Sequence, residues 1–439
     1  MKREIFALKT RLLMRDDRRA FARMVRNETL DPAGLGDLVG ESSTRIALHA
    51  FDRSPFYRDL YANSGFARVD VAERSNFSAL PMVTKQALRD AGEEVLATTI
   101  DPRRALPSET GGSTGSPLRV RNDAAAPTAA MWWRIYRWWG VHPADDTAFI
   151  YRQMRHGAAA AKYAAQWWPT QHFLLDARSI TDEAMEAFIA RWLRIRPRLL
   201  VAYVEGATAL AAHLVRTGRT LPATAVSVTA AMLQPGQRLL LEQAFEAPVF
   251  DTYRSAEIPW IAAECAAHEG LHVLADQRRV DIVDERGRPV EAGAEGSVVV
   301  TDYSNEVFPL VRYEMGDRSR VIAGPCVCGR SFGRIAPVQG RLADVIRTPS
   351  GRRVTGGLSG LFLDSPGEIR QMQVVQHADY SITIRFVPTA PGTAAEAGAR
   401  AKRKLDDMLR GEVAVEAVEV EAIEGSAGKA RLVISEIET

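Results

Sequence analysis

The spacing of apolar and polar positions changes character three times along the 439-residue chain. Residues 1–105 read as mainly helical. In SPFYRDLYANSGF, Ser54 offers the short oxygen side chain that caps a helix N-terminus, and Pro55 falls in the first turn, where its missing N–H costs nothing. VTKQALRDAGEEVLA repeats the signal with Thr84 as its cap. From 124 to 245, helical patterns such as AAPTAAMWWRIYRWWG and DEAMEAFIARWLRI alternate with short apolar runs, TAFIY, LLVAY and AVSVT. That alternation predicts a layered α/β architecture with a largely parallel sheet.

From about 247 strands dominate: PVFDTY, GLHVLAD, RVDIVD, GSVVVTD and PLVRYEMGD, separated by the turn signals ERGRP and EAGAEG. This predicts a β-rich subdomain. After GRLADVI comes a small mixed unit, with IRQMQVVQ and SITIRFVP as strands, AAEAGARAKRKLDDMLRG as an amphipathic helix and PTAPGTAAEAG as a surface loop.

Composition narrows the class. Hydrophobic residues at 46% and charged residues at 25% supply large cores and exclude a disordered chain, and the length suggests two or three domains. A net charge of +2 argues against a general nucleic-acid or membrane surface while leaving room for a local basic patch. MKREIFALKTRLLMRDDRRA has charges every few residues and no apolar core of signal-peptide length. LLVAYVEGATALAAHLV contains Glu205 and His213 and is shorter than the ~20 residues of a membrane span. A cytoplasmic protein is expected. Three cysteines argue against a disulfide framework and leave metal binding or simple burial open.

Residues 108–120, SETGGSTGSPLRV, concentrate glycine and hydroxyl side chains. Backbone N–H groups in such a loop can converge on one anion, and Ser113 and Thr114 add hydroxyl donors. The lysine of a Walker loop is missing, and alone the stretch reads equally well as a plain turn. Further on stand YRSAE (253–257), RYEMGD (312–317), GRLAD (340–344) and GSAGKAR (425–431).

The ordered set resembles the core motifs of the adenylate-forming superfamily, which includes acyl-CoA synthetases, luciferases and the adenylation domains of peptide synthetases. The resemblance spans roughly residues 50–435. SPFYRDLY, LPMVTKQALR, IAAEC, GLHVLAD and PCVCGR resemble the phenylacetate–CoA ligase and CapK-like branch.

The resemblance implies a large N-terminal adenylation domain over 1–341, built of layered α/β subdomains and a β-rich one, and a small, mobile α+β domain over 342–439. It implies ATP as co-substrate, its β- and γ-phosphates held by Gly111, Gly112, Ser113, Thr114 and Gly115 with a contribution from the Thr110 hydroxyl; Thr114 counts among the catalytic residues. Glu257 is implied as the Mg2+ ligand, Tyr253 as the adenine stack, and Asp317 and Arg341 as ribose contacts. Lys429 is implied as the catalytic lysine of the small domain, reaching carboxylate and α-phosphate. Taken singly, each of these residues reads as ordinary solvated surface. Two positions depart from the family: Ala343 replaces a carboxylate at the hinge, and Arg254 stands where glycine is usual. Arg254 reads either as a contact to a polar or anionic substituent of the substrate or as a surface arginine.

Cys326 and Cys328 form a C-x-C pair; Cys265, His268 and His272 complete the thiol and imidazole set. Three thiolates and one imidazole suit a closed, structural tetrahedral Zn2+ site, with three buried reduced thiols as the ordinary alternative. The branch's pairing of E-C and G-L-H with C-x-C-G-R favours His272 over His268. Trp132, Trp133, Tyr136, Trp138 and Trp139 share one helical segment, expected as core with a subset near the acyl pocket.

The expected activity is activation of an aryl or arylacetic acid as its acyl-adenylate and transfer to coenzyme A. Transfer to an amine or a carrier-protein thiol is the rival within the fold, and a non-catalytic nucleotide-binding homologue the rival outside it. Neither nucleic acid nor membrane is an expected partner. The oligomeric state stays open, a homodimer among the options.

Overall fold

The computed structural model describes residues 1–109, 118–151, 157–177, 180–338, 346–350, 353–354, 358, 361–362, 368–388, 392, 394–423 and 433–437. Two compact units form, one from 1–144 with 250–338 and one from 145–249 with 339–439.

In the first unit the capped helices occur where the polar signals place them. Ser54 caps Pro55–Asn63 by accepting from the Tyr57 N–H, and Thr84 caps Lys85–Ala91 by accepting from the Ala87 N–H at 3.1 Å. The second helix is shorter than its sequence pattern, because Gly92 takes φ +53° and the chain continues as the 3-10 turn Gly92–Val95. Seven strands run antiparallel in the order Arg278–Val283, Glu295–Asp302, Tyr313–Ile322, Arg334–Ile335, Leu271–Val273, Ala262–Glu264, Val249–Tyr253. Val298 and Val300 of these strands, with Ile258 and Ile261 of the turn between the last two, share one core with Tyr57, Tyr61 and Ile46 of the helices. The segment before Lys85 is stitched on: the Val83 N–H donates to Arg312 O and Val83 O accepts from the Glu314 N–H, both at 2.9 Å. Helix Thr128–Trp138 and the residue after it bury Trp133, Tyr136, Trp138 and Trp139.

In the second unit the alternating pattern gives four parallel strands in the order Ala225–Thr229, Leu199–Tyr203, Thr147–Tyr151, His172–Asp176. Helix Val204–Arg216 lies close on them: a Cβ at Gly206 would meet Ile150 Cγ2 at 2.7 Å, so this position admits only glycine without movement. Helix Asp182–Ile195, capped by Thr181, buries Met185, Phe188, Ile189 and Trp192, the one-face spacing read from the sequence.

The C-terminal segment of that unit forms a four-stranded sheet in the order Val415–Glu419, Ile382–Pro388, Ile369–Gln376, Val433–Ser435. Helix Ala395–Leu409 supplies Ala397, Ala401, Leu405 and Leu409 to its core. The chain is thus α/β, with a layered parallel part, a β-rich part and a small α+β part.

Candidate functional site

Residues from three separated stretches meet at the end of strand Val249–Tyr253. RYEMGD lies in strand Tyr313–Ile322, which breaks register with its neighbour: Ser297 pairs with Arg318 but Val299 with Glu314, so three residues oppose Val298 alone. Gly316 at φ +75° makes this bulge possible. The bulge re-aims Asp317, whose Oδ2 accepts from the Tyr253 hydroxyl at 2.8 Å. Burial, and then the Asp317 carboxylate, hold the Tyr253 phenol well above its usual pKa, so it stays a donor.

After Tyr253 the chain turns tightly, the Ser255 hydroxyl accepting from the Ile258 N–H at 3.0 Å. The turn delivers Glu257, which is only 7% exposed. Its Oε1 accepts from the Tyr313 hydroxyl at 3.3 Å and lies 3.8 Å from Lys85 Nζ. A buried carboxylate needs such partners. The stem of the glycine loop reaches the same turn: strand Ala105–Glu109 pairs with Arg119–Asp123, and the Ser108 hydroxyl donates to Ala256 O at 3.2 Å.

Tyr253, Glu257 and Asp317 are therefore brought together. Lys85 was not legible as a site residue: in LPMVTKQALR it reads as the first residue of a capped helix, and only the stitching of Val83 to the Asp317 strand brings it to Glu257. Arg254 is half-buried, its guanidinium 4.6 Å from the Trp260 ring centroid. Trp260 itself holds φ +59°, a left-handed conformation costing roughly 1–2 kcal/mol for a residue with a Cβ. Thr110, Gly111, Gly112, Ser113, Thr114, Gly115, Arg341, Ala343 and Lys429 lie outside the described residues.

The cysteines and His272 form a second cluster. Cys265 Sγ lies 3.7 Å from Cys326 Sγ, Cys328 Sγ lies 3.3 Å from His272 Nε2, and all four donor atoms fall within 4.8 Å of one another. His272 Nδ1 sits 2.8 Å from Phe332 O, which fixes the proton there and leaves Nε2 as a lone-pair donor toward the thiols. Burial pushes the Cys265 thiol up to about 12 and lowers His272. Burial also raises Cys328, but hydrogen bonds from the Arg330 backbone and side chain outweigh it and hold the thiol low. His268 is elsewhere: its Nδ1 lies 3.2 Å from Glu264 Oε2 and its ring stacks on Phe250.

Around the cluster, Glu28 receives Arg137 and the Trp138 indole N–H, the latter at 2.9 Å, and its backbone oxygen accepts from the Ser331 N–H. Trp138 meets His272 edge-on at 6.0 Å and lies under Arg330 at 4.5 Å. The aromatic run thus packs the core and the edge of the thiol cluster.

No family model matches the chain. It is 24% identical over 336 residues to a phenylacetate-coenzyme A ligase of Thermus thermophilus, covering 73% of each chain. It is also 24% identical over 344 residues to that of Escherichia coli, covering 74% of this chain and 76% of the relative. In sequence the chain is thus similar to phenylacetate-coenzyme A ligases. Among solved structures, a 2-hydroxyisobutyryl-CoA ligase in its postadenylation state has the same fold, with a TM-score of 0.78 at 19% identity, covering 94% of this chain and 91% of that one. An anthranilate CoA ligase with anthranoyl-AMP superposes at a TM-score of 0.54 and 15% identity, covering 74% of this chain and 65% of that one. Among the described residues, no helix is long and apolar enough to cross a membrane.

Proposed function

We propose that the protein is an ATP-dependent, AMP-forming carboxylate ligase that activates an aryl or arylacetic acid and passes the acyl group to coenzyme A. The observation that carries this reading is that two motifs far apart in sequence, YRSAE and RYEMGD, are joined by two hydrogen bonds, Tyr253 to Asp317 and Tyr313 to Glu257. In the first step a carboxylate oxygen attacks the α-phosphorus, the bond to the bridging oxygen of pyrophosphate breaks, and the acyl-adenylate forms. In the second the thiol sulfur attacks the acyl carbon, AMP leaves and the thiol proton passes to solvent. Asp317, an acceptor-only group, suits the ribose hydroxyls. Tyr253 orients it and offers a ring face to adenine.

Glu257 provides the hard, buried oxygen donor that Mg2+ prefers, and the ion when bound would neutralise phosphate charge. We assign the phosphate-holding role to residues 110–115, a ribose contact to Arg341, and the small-domain role, with Lys429, to residues 342–439. Pyrophosphate exchange over a panel of carboxylic acids, followed by a screen of coenzyme A against amine acceptors, tests the proposal; exchange with no acid removes it.

The Cys265, His272, Cys326 and Cys328 donors fit Zn2+. A tetrahedron of Zn–S bonds of ~2.3 Å has sulfur–sulfur edges of about 3.8 Å, against 3.7 Å between Cys265 and Cys326. Four protein donors leave no open position, so the ion would tie two loops together and take no part in the reaction.

Two outcomes follow from the site. Lys85→Met leaves Glu257 without its cation, and the KM for ATP is expected to rise about tenfold, the value of one charge-assisted contact, with the KM for the acid nearly unchanged. A parallel rise in both would mean that Lys85 only supports the fold. Arg254→Gly is expected to lower use of acids bearing an anionic or strongly polar substituent by roughly tenfold relative to unsubstituted ones. An unchanged rank order across the panel would show that Arg254 points away from the acid.

A further inference from the structure

We propose that the outward face of the N-terminal helix docks on an anionic lipid bilayer. Helix Lys2–Leu13 turns Phe6 and Thr10 inward, Phe6 meeting Trp133 edge-on at 5.7 Å. At about 100° per residue, the opposite side carries Met1, Ile5, Leu8 and Leu12 within about 60° of one another. Met1 is 91% exposed, Leu8 60% and Leu12 56%, and Leu13 at the helix end is 77% exposed. Large apolar side chains scattered singly need no explanation, but a stripe along one helix face does.

The charge around the stripe selects its partner. Residues 1–26 hold nine basic and three acidic side chains, leaving 47 basic and 51 acidic in the rest of the chain. The near-neutral total therefore conceals a basic arm on an otherwise acidic protein. The three acids add little repulsion toward an anionic surface: Glu4 pairs with the chain's own α-amino group at 3.2 Å, Asp16 lies 3.6 Å from Arg19, and Asp17 is half-buried against the Ala130 backbone. A second copy of the helix on this stripe would set Lys2, Lys9 and Arg11, which flank it, against the same three cations. An anionic headgroup layer receives them, while the leucines enter the acyl boundary.

The test is flotation of the full chain with vesicles of phosphatidylcholine alone and of phosphatidylcholine mixed with phosphatidylglycerol. The protein is expected to float with the anionic vesicles at low salt, to be released as salt is raised, and to ignore the neutral ones. L8S/L12S/L13S changes only exposed positions and is expected to abolish flotation while keeping pyrophosphate exchange. K2Q/K9Q/R11Q is expected to lower the partition coefficient about a hundredfold, at ~1 kcal/mol per basic residue. Absence of flotation with anionic vesicles, or flotation of the serine variant equal to wild type, overturns the proposal. Light scattering that shows a dimer which the serine variant turns into a monomer also overturns it, by giving the face to a second copy.

Discussion

Protein purified without chelator is expected to carry close to one equivalent of zinc, and Cys326→Ser combined with Cys328→Ser to lose it. Both cysteines sit in a loop that has no regular hydrogen-bonded ladder of its own, with Cys328 Sγ 3.3 Å from His272 Nε2 and Cys326 Sγ 3.7 Å from Cys265. Metal binding at such a site is folding free energy, because the unfolded chain does not hold the four donors together. The midpoint of thermal unfolding is expected to fall by on the order of 10 °C, since each kcal/mol moves a domain of this size by ~2–4 °C. The loop should not collapse completely, because Glu28 still holds it through Ser331 and through Arg330, whose Nε lies 3.6 Å away. Trp138, beside His272, gives an independent readout: its fluorescence should change when a chelator strips the wild type and stay constant in the double variant. Metal analysis that finds no zinc, or a double variant as stable as wild type, would leave two buried thiols and a half-buried one with no ion to hold.

The contrast between the two clusters shows what a sequence can disclose. Motif order singled out Tyr253, Glu257 and Asp317, and the periodicity located three of the four parallel strands, missing His172–Asp176, together with helix Asp182–Ile195. These features depend on residue identity at short spacing, which a linear string preserves. The choice between His272 and His268 is different in kind. His272 lies in strand Leu271–Val273, paired across to Arg334, so that its ring faces the C-x-C loop, whereas His268 takes φ +53° in the preceding turn and faces Glu264. Both follow Cys265 by a few residues, and only the pairing separates them. Lys85 is similar: its meeting with Glu257 depends on two backbone hydrogen bonds of Val83 to a strand more than two hundred residues away. The bulge at Gly316 and the left-handed Trp260 under Arg254 likewise belong to tertiary geometry. The basic arm was visible as a string of arginines, but a net charge near zero hid its contrast with the rest of the chain.

Lys429→Ala is expected to cripple acyl-adenylate formation while sparing the second half-reaction. When the acid attacks ATP, negative charge builds on the oxygens of the α-phosphorus as pyrophosphate leaves, and a cation placed there acts only while that charge exists. A compact ammonium on a flexible stem suits a contact made and released within one turnover. Loss of one such contact costs about a hundredfold to a thousandfold in rate, so pyrophosphate exchange should fall by that factor. Thioester formation from a chemically supplied acyl-adenylate begins after pyrophosphate has gone, when there is no such charge to meet, and by the resemblance the small domain then presents another face. It should therefore proceed at near the wild-type rate. Glu257→Gln supplies the comparison: in the proposed site its carboxylate, held by Tyr313 and Lys85, would address the phosphates through Mg2+, so it too should lose exchange and keep thioester formation. The ratio of the two half-reactions decides the matter. Equal loss in both for Lys429→Ala would mean that the lysine supports the fold of its domain, and full exchange would take it out of the active site.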